Sequence, residues 1–340
     1  MSKNICGKTK HLSKKQTPFI KSAFIMLMIA TSNLNAQPAG QTATPKQLVQ
    51  ALHTAFGEHH ARAVHAKGII LEGEFTPAPE AAILTKAFHL QNKNSRVIVR
   101  FSDFTGIPTI PDNIGLANPR GMSIKFVMPD GKTTDIIAHS FNGFPTPNSD
   151  QFRELLLAIG ASGADAAKPT ALDKFLGSHP IAKTFLSTQK NPASFASISY
   201  FGVNSFKFTN KNGQSHYVRY QFIPVSGEKL LSADEMAKLD SNYLFADIKK
   251  QISEHPIQFQ VFAQIAESSD KIKDPSIAWP DSRKKVLLGT IKIKQLAPNT
   301  EKEDKALFFI PNNIPSGIQT ADPMLDFRSN AYPISVIERQ

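Results

Sequence analysis

Cysteine is almost absent from this chain of 340 residues; the single Cys6 lies among the first ten positions. The remaining residues therefore have no disulfide framework, cysteine nucleophile, zinc–thiolate site or iron–sulfur cluster to draw on. The fold must be held by its own core, and a chain of about 300 residues can do so, since it buries roughly 75% of its unfolded surface. Long apolar runs are missing as well. AFIMLMIA, at 23 to 30, is shorter than the ~20 residues that span a bilayer, and no later segment approaches that length. GxGxxG, P-loop, GxSxG and HExxH patterns and internal repeats do not occur, which removes the common nucleotide, serine-hydrolase and zinc-protease signatures.

Acidic residues are missing from the first 36 positions, which carry Lys3, Lys8, Lys10, Lys14, Lys15 and Lys21. Removing these six lysines from the net charge of +11 leaves +5 for the rest. That is a mildly basic surface without a basic stripe, so no nucleic-acid partner is expected. The lysines, the apolar run and the polar TSNLNA, with Leu34 and Ala36 at the −3 and −1 positions, read as a secretory signal over 1–36. The expectation is a mature protein from about Gln37, exported to the periplasm and free of the membrane once the signal is cleaved.

What is present after that point is mostly strand. TPKQLVQALHTAF opens with a threonine cap, proline at the first helical position and Leu48, Leu52 and Phe56 at helical spacing. GIILEGEF, SRVIVRFSDF, MSIKFVMPDGKTTDIIA, ASISYFGVNSFKFTN, SHYVRYQFIPV, IQFQVFAQIA and RKKVLLGTIKIKQL carry β-branched and alternating patterns. A short helix at APEAAILTKAF, two or three helices between 149 and 189, and a last one around Arg328 and Tyr332 complete the set. Strands joined mainly by turns favour one α+β domain over 37–340, an antiparallel β-barrel or sandwich core with surrounding helices, rather than a βαβ array.

Three clusters carry candidate chemistry. His65, three residues after Arg62, sits where a helical pattern gives way to a strand; it is either structural or a general acid–base. Arg100 and Ser102 alternate on a strand and share one face, with Val99 and Phe101 on the other. That face is solvated, or the arginine meets an anion, because an unpaired buried charge is costly. Arg328 and Tyr332, four apart, share a helix face, and Arg339 follows close to the end.

RAVHAKG (62–68), VRFS (99–102), NPRGMSIKF (118–126), FIPNNIPSGI (309–318) and MLDFRSNAYP (324–333), in this order and spacing, resemble the haem catalase family over nearly the whole chain after the signal. The resemblance implies an antiparallel β-barrel core with surrounding helices and a haem b cofactor, with Tyr332 as axial iron ligand and Arg328 as the cation that stabilises the tyrosinate. It implies His65 as the distal acid–base, moving a proton between the two peroxide oxygens, and Ser102 as its orienting partner. Arg62, Arg100 and Arg339 become partners of the haem propionates. Phe144 and Phe152 fall on positions that line the distal side and the channel.

The sequence departs from the family at the distal asparagine. An ungapped reading of DIIAHSFNGFPTPNSDQF puts His139 there, and Asn142 takes its place if the loop shifts. Only about twenty-five residues separate the signal from Arg62, in place of the long arm of the large catalases. This trimmed pattern is similar to the small exported catalase-related peroxidases, and a monomer or small homo-oligomer is expected. The implied function is reduction of hydrogen peroxide or organic hydroperoxides with a small organic electron donor, with weak catalase activity. Competing readings are rearrangement of fatty-acid hydroperoxides and a non-catalytic exported haem or lipid carrier. His59 and His60 are read as solvated and Trp279 as a packing anchor. His53, His89, His179, His216 and His255 are read as loop or surface.

Overall fold

A computed structural model describes residues 43–298 and 300–339; the expected export signal over 1–36 lies outside them. Eight antiparallel strands form the centre: β1 (Gly68–Pro77), β2 (Ser95–Ser102), β3 (Gly121–Val127), β4 (Thr133–His139), β5 (Tyr200–Thr209), β6 (Ser215–Pro224), β7 (Ile257–Ile265) and β8 (Lys285–Leu296). Their order is β4-β3-β2-β1-β8-β7-β6-β5, and a β4–β5 pairing at His139 and Phe201 closes the barrel. Closure removes the exposed strand edges that an open sheet would have to protect. A short β9 (Ile318–Thr320) pairs with the Phe206–Phe208 part of β5.

Period-two alternation decides which side chains fill the barrel. Val97, Val99 and Phe101 of β2, Met122, Ile124 and Phe126 of β3, and Tyr220 and Phe222 of β6 join one buried apolar cluster. The opposite face of β2 carries Arg100 and Ser102, both buried, so the solvated alternative for that face does not hold. His65, Ala66 and Asp304 cover them, and a layer of helices outside the barrel faces them across a space.

That layer is built from α1 (Pro45–Phe56), α3 (Ser149–Gly160) and α9 (Pro323–Glu338). Thr44 and Gln47 form a capping box at the start of α1, which turns Leu48, Leu52 and Phe56 inward. Asp322 caps α9 by accepting from Met324 N at 2.9 Å, and Pro323 fits the first turn, where no amide partner is needed. Leu48, Leu52, Phe56, Leu156 and Ala331 make a second apolar cluster that joins the three helices. The remaining helices are α2 (Pro79–Leu84), α4 (Ala171–Ser178), α5 (Pro180–Ser187), α6 (Ala233–Ala237), α7 (Tyr243–Glu254) and α8 (Thr300–Ala306). None among the described residues is long and apolar enough to cross a membrane.

The structure adds α6, α7, α8 and β9 to the elements expected from sequence. α7 had a readable signal in Leu244, Ile248 and Ile252, which repeat at helical spacing and are all buried. The histidine reading needs correction at two positions. His89 is 1% exposed, packs against Phe126, and has no partner for either ring nitrogen. His53 lies on α1 and bonds Glu338 at 3.0 Å. His59 and His60 are exposed, and Trp279 is buried under the Arg219 guanidinium, as expected.

Candidate active site

One cavity lies between the helical layer and the β2–β4 wall of the barrel, and every site residue expected from sequence lines it. The barrel wall supplies a row set by strand register. Gly68 pairs Ser102, Ser102 pairs Gly121, and Gly121 pairs His139, so these residues share one face. Glycine is required at the middle of the row. A Cβ on Gly121 would stand 2.4 Å from Ser102 Oγ and 2.7 Å from His65 Nδ1. The His65 ring rests over this gap.

His65 enters the site from the loop before β1 with φ +57, a left-handed conformation that a residue other than glycine seldom adopts. Its backbone N–H bonds Phe104 O at 2.7 Å, which pins the turn. Nδ1 lies 3.0 Å from Asp103 O and 3.0 Å from Ser102 Oγ. A carbonyl can only accept, so the ring proton sits on Nδ1 and the Nε2 lone pair is left for the cavity. Burial, followed by the nearby His139 and Arg100, pushes the His65 pKa down to about 3. The imidazole is therefore a neutral base at physiological pH.

His139 ends β4. Its Nδ1 accepts from Phe141 N at 3.4 Å, which leaves the proton on Nε2, and Nε2 is buried without a partner. Burial, then Arg328, pushes its pKa down to about 3 as well. Asn142 does not line the cavity, so His139 occupies the position that sequence left open between the two. Phe144 and Phe152 meet at 4.8 Å between ring centroids on the same side.

The opposite wall is α9. Arg328 Nη2 donates to Tyr332 Oη at 2.8 Å, and Arg328 Nη1 donates to Asn204 Oδ1 at 2.6 Å. Asn204 Nδ2 in turn donates to Asp322 Oδ2 at 2.7 Å. The residue that caps α9 thus also steadies the arginine, through an asparagine of β5. Asn204 had no motif to announce it in the sequence. At one edge of the cavity Arg62, Arg100 and Arg339 converge. A Cβ on Gly68 would stand 2.2 Å from Arg100 Cζ, so this glycine makes room for the guanidinium. Asp304 of α8 accepts from Arg62 and Arg100, a carboxylate that sequence reasoning missed because it lies in the charged run EKEDK.

Comparison with known proteins decides the family. The model of the catalase family, described as "Catalase", matches residues 31–340. The chain belongs to the catalase family. It is 33% identical over 301 residues to a catalase-related peroxidase of Mycolicibacterium paratuberculosis, covering 86% of this chain and 94% of that one. It is 30% identical over 302 residues to a catalase-related peroxidase of Synechococcus elongatus, covering 87% and 88%. Catalase A of Saccharomyces cerevisiae shares the fold with a TM-score of 0.73 at 20% identity, over 82% of this chain and 61% of that one. A fungal catalase gives 0.73 at 19% identity over 89% and 65%. The chain thus spans under two thirds of those solved catalases and nearly all of the two catalase-related peroxidases.

Proposed function

We propose that this catalase-related peroxidase holds a b-type haem and reduces hydrogen peroxide or an organic hydroperoxide, drawing electrons from a small organic donor, with weak catalase activity. One observation carries the reading: a neutral imidazole with its proton pinned on Nδ1 shares a cavity with a tyrosine that accepts from an arginine.

The donor set fits a haem. A phenol oxygen is available as a metal ligand on one wall, apolar rings enclose the space, and three guanidiniums at one edge suit the porphyrin carboxylates. Tyr332 would hold the iron, and Arg62, Arg100 and Arg339 would face the carboxylates. Bound haem supplies the redox centre that takes oxidising equivalents from peroxide and passes them to the donor. The residues contribute the proton chemistry. His65 Nε2 takes the proton of one peroxide oxygen and returns it to the leaving oxygen, while Asp103 O and Ser102 keep the ring aimed. Arg328, steadied by Asn204, donates to Tyr332 Oη and fixes the position of the phenol oxygen that would meet the iron.

The buried Nε2–H of His139 offers a donor beside the Nε2 acceptor of His65 for orienting a peroxide. A pure carrier has no need of an acid–base held in one tautomer, so enzyme is the better-supported class. Export to the periplasm rests on residues 1–36, and we expect the mature chain to begin near Gln37.

Two variants test the assignment together. Tyr332→Phe should lose the Soret band of the purified protein, whereas His65→Ala should keep it and lose its response to one equivalent of hydrogen peroxide. A His65→Ala protein that reacts normally would overturn the distal assignment.

A further inference from the structure

The three arginines at the cavity edge all meet one segment of the chain, α8 and the residues after it. Asp304 accepts from Arg62 Nη1 at 2.8 Å and from Arg100 Nε and Nη2, the latter at 3.1 Å. The carbonyl of Leu307 accepts from Arg62 Nη2 at 2.7 Å and from Arg339 Nη2 at 2.8 Å. Arg339 Nε reaches Lys305 O at 3.4 Å. Arg100 also donates to His65 O at 2.9 Å and Ala66 O at 3.1 Å, so four of its five N–H groups are committed within the chain. Arg100 is therefore tied to Asp304 and the backbone, while Arg62 and Arg339 keep more of their donors uncommitted.

Asp304 does not line the cavity, although the arginines do, so it meets their guanidiniums from outside that lining. Burial pushes its carboxyl up, but Arg100 and Arg62 pull it further down, and it is ionised at neutral pH. The cluster is still short of negative charge. Burial and the neighbouring Arg100 push Arg62 down to about 8, with Arg339 adding to the effect against the pull of Asp304.

We propose that Asp304 competes with the carboxylates of bound haem for Arg62 and Arg100, and so lowers the affinity of the protein for its cofactor. The proposal rests on the haem reading above. Its physical basis is that two anions drawing on one set of cations oppose each other, because each lowers the positive potential that the other feels. The coupling is reciprocal, so haem carboxylates also weaken the hold of the arginines on Asp304. Asparagine at 304 keeps the shape and one acceptor oxygen, removes the charge, and turns the other oxygen into an amide donor.

The test is haem release from the full holo-protein to excess apomyoglobin, followed by the Soret band. Asp304→Asn should release haem about tenfold more slowly, which corresponds to about 1.4 kcal/mol. Protein loaded with haem dimethyl ester, which lacks the two charges, should release it equally fast from wild type and variant. Glu303→Gln removes a charge from the same helix away from the arginines and should leave haem release unchanged. Asp304→Ser replaces the amide variant should that one fail to fold. Release from Asp304→Asn that is unchanged or faster overturns the proposal. A slowing of equal size with the dimethyl ester, or in Glu303→Gln, overturns it too. Wild-type protein with no Soret band would instead defeat the haem reading itself.

Discussion

The two walls of the cavity are built in opposite ways. On the α9 side, Arg328, Tyr332 and Arg339 come from one helix and its end, and the first two meet because they are four residues apart. On the barrel side, His65, Ser102, Gly121 and His139 span seventy-five positions of chain; three strands in one register align the last three, and the loop before β1 lays His65 over them. A local wall tolerates change elsewhere in the fold. A wall made by register depends on each strand, and above all on the residue with no side chain at its centre.

Gly121→Ala should therefore have the largest effect. The new methyl would collide with Ser102 Oγ and His65 Nδ1, and overpacking of this kind costs about 1–3 kcal/mol of stability. The displaced imidazole should cost roughly 100-fold in the rate of reaction with peroxide, as misplacement by about 1 Å can. The Soret band should remain, since α9 is untouched. Stopped-flow spectra check both, and an unchanged rate would show that the ring is not confined by this row.

Asn204→Ala probes how local the α9 wall is. It strips Arg328 of its partner and leaves Asp322 Oδ2 without its amide donor, an unsatisfied pair that costs about 1–3 kcal/mol. Haem affinity should fall about two- to tenfold if half of that loss reaches Tyr332, with the peroxide reaction of the loaded fraction little changed. If affinity does not move, the i, i+4 contact alone positions the tyrosine.

The effect furthest from the chemistry tests the barrel interior against the cavity. Burial pushes His89 down to about 3 from its ordinary 6.5, with no compensating partner. Its folded pKa is depressed, so its neutral form is fully accommodated above pH 6.5, and stability is lost as pH falls from there toward 3. His89→Leu should remove this acid sensitivity, gaining about 2 kcal/mol relative to wild type at pH 5 compared with pH 8. Urea unfolding at the two pH values measures it. His65 and His139 carry the same depression, so acid destabilisation should persist in part.

Much of this was legible in the residues themselves. Alternation in VRFS placed Arg100 and Ser102 opposite Val99 and Phe101, and the structure keeps that division. Asp304 was hidden because EKEDK looks like an ordinary solvated run. His89 was hidden because nothing adjacent to it in FHL shows that Phe126, far along the chain, lies against its ring.

Short-range rules act through spacing along the chain, so the sequence alone determined the strands, the α1 cap and the Arg328–Tyr332 pair. Tertiary structure alone decided that Gly121 lies between Ser102 and His139, that Asn204 steadies Arg328, and that Asp304 reaches Arg62 and Arg100. Those contacts join residues far apart in sequence, and only barrel closure and the packing of α8 and α9 on it bring them within hydrogen-bonding reach.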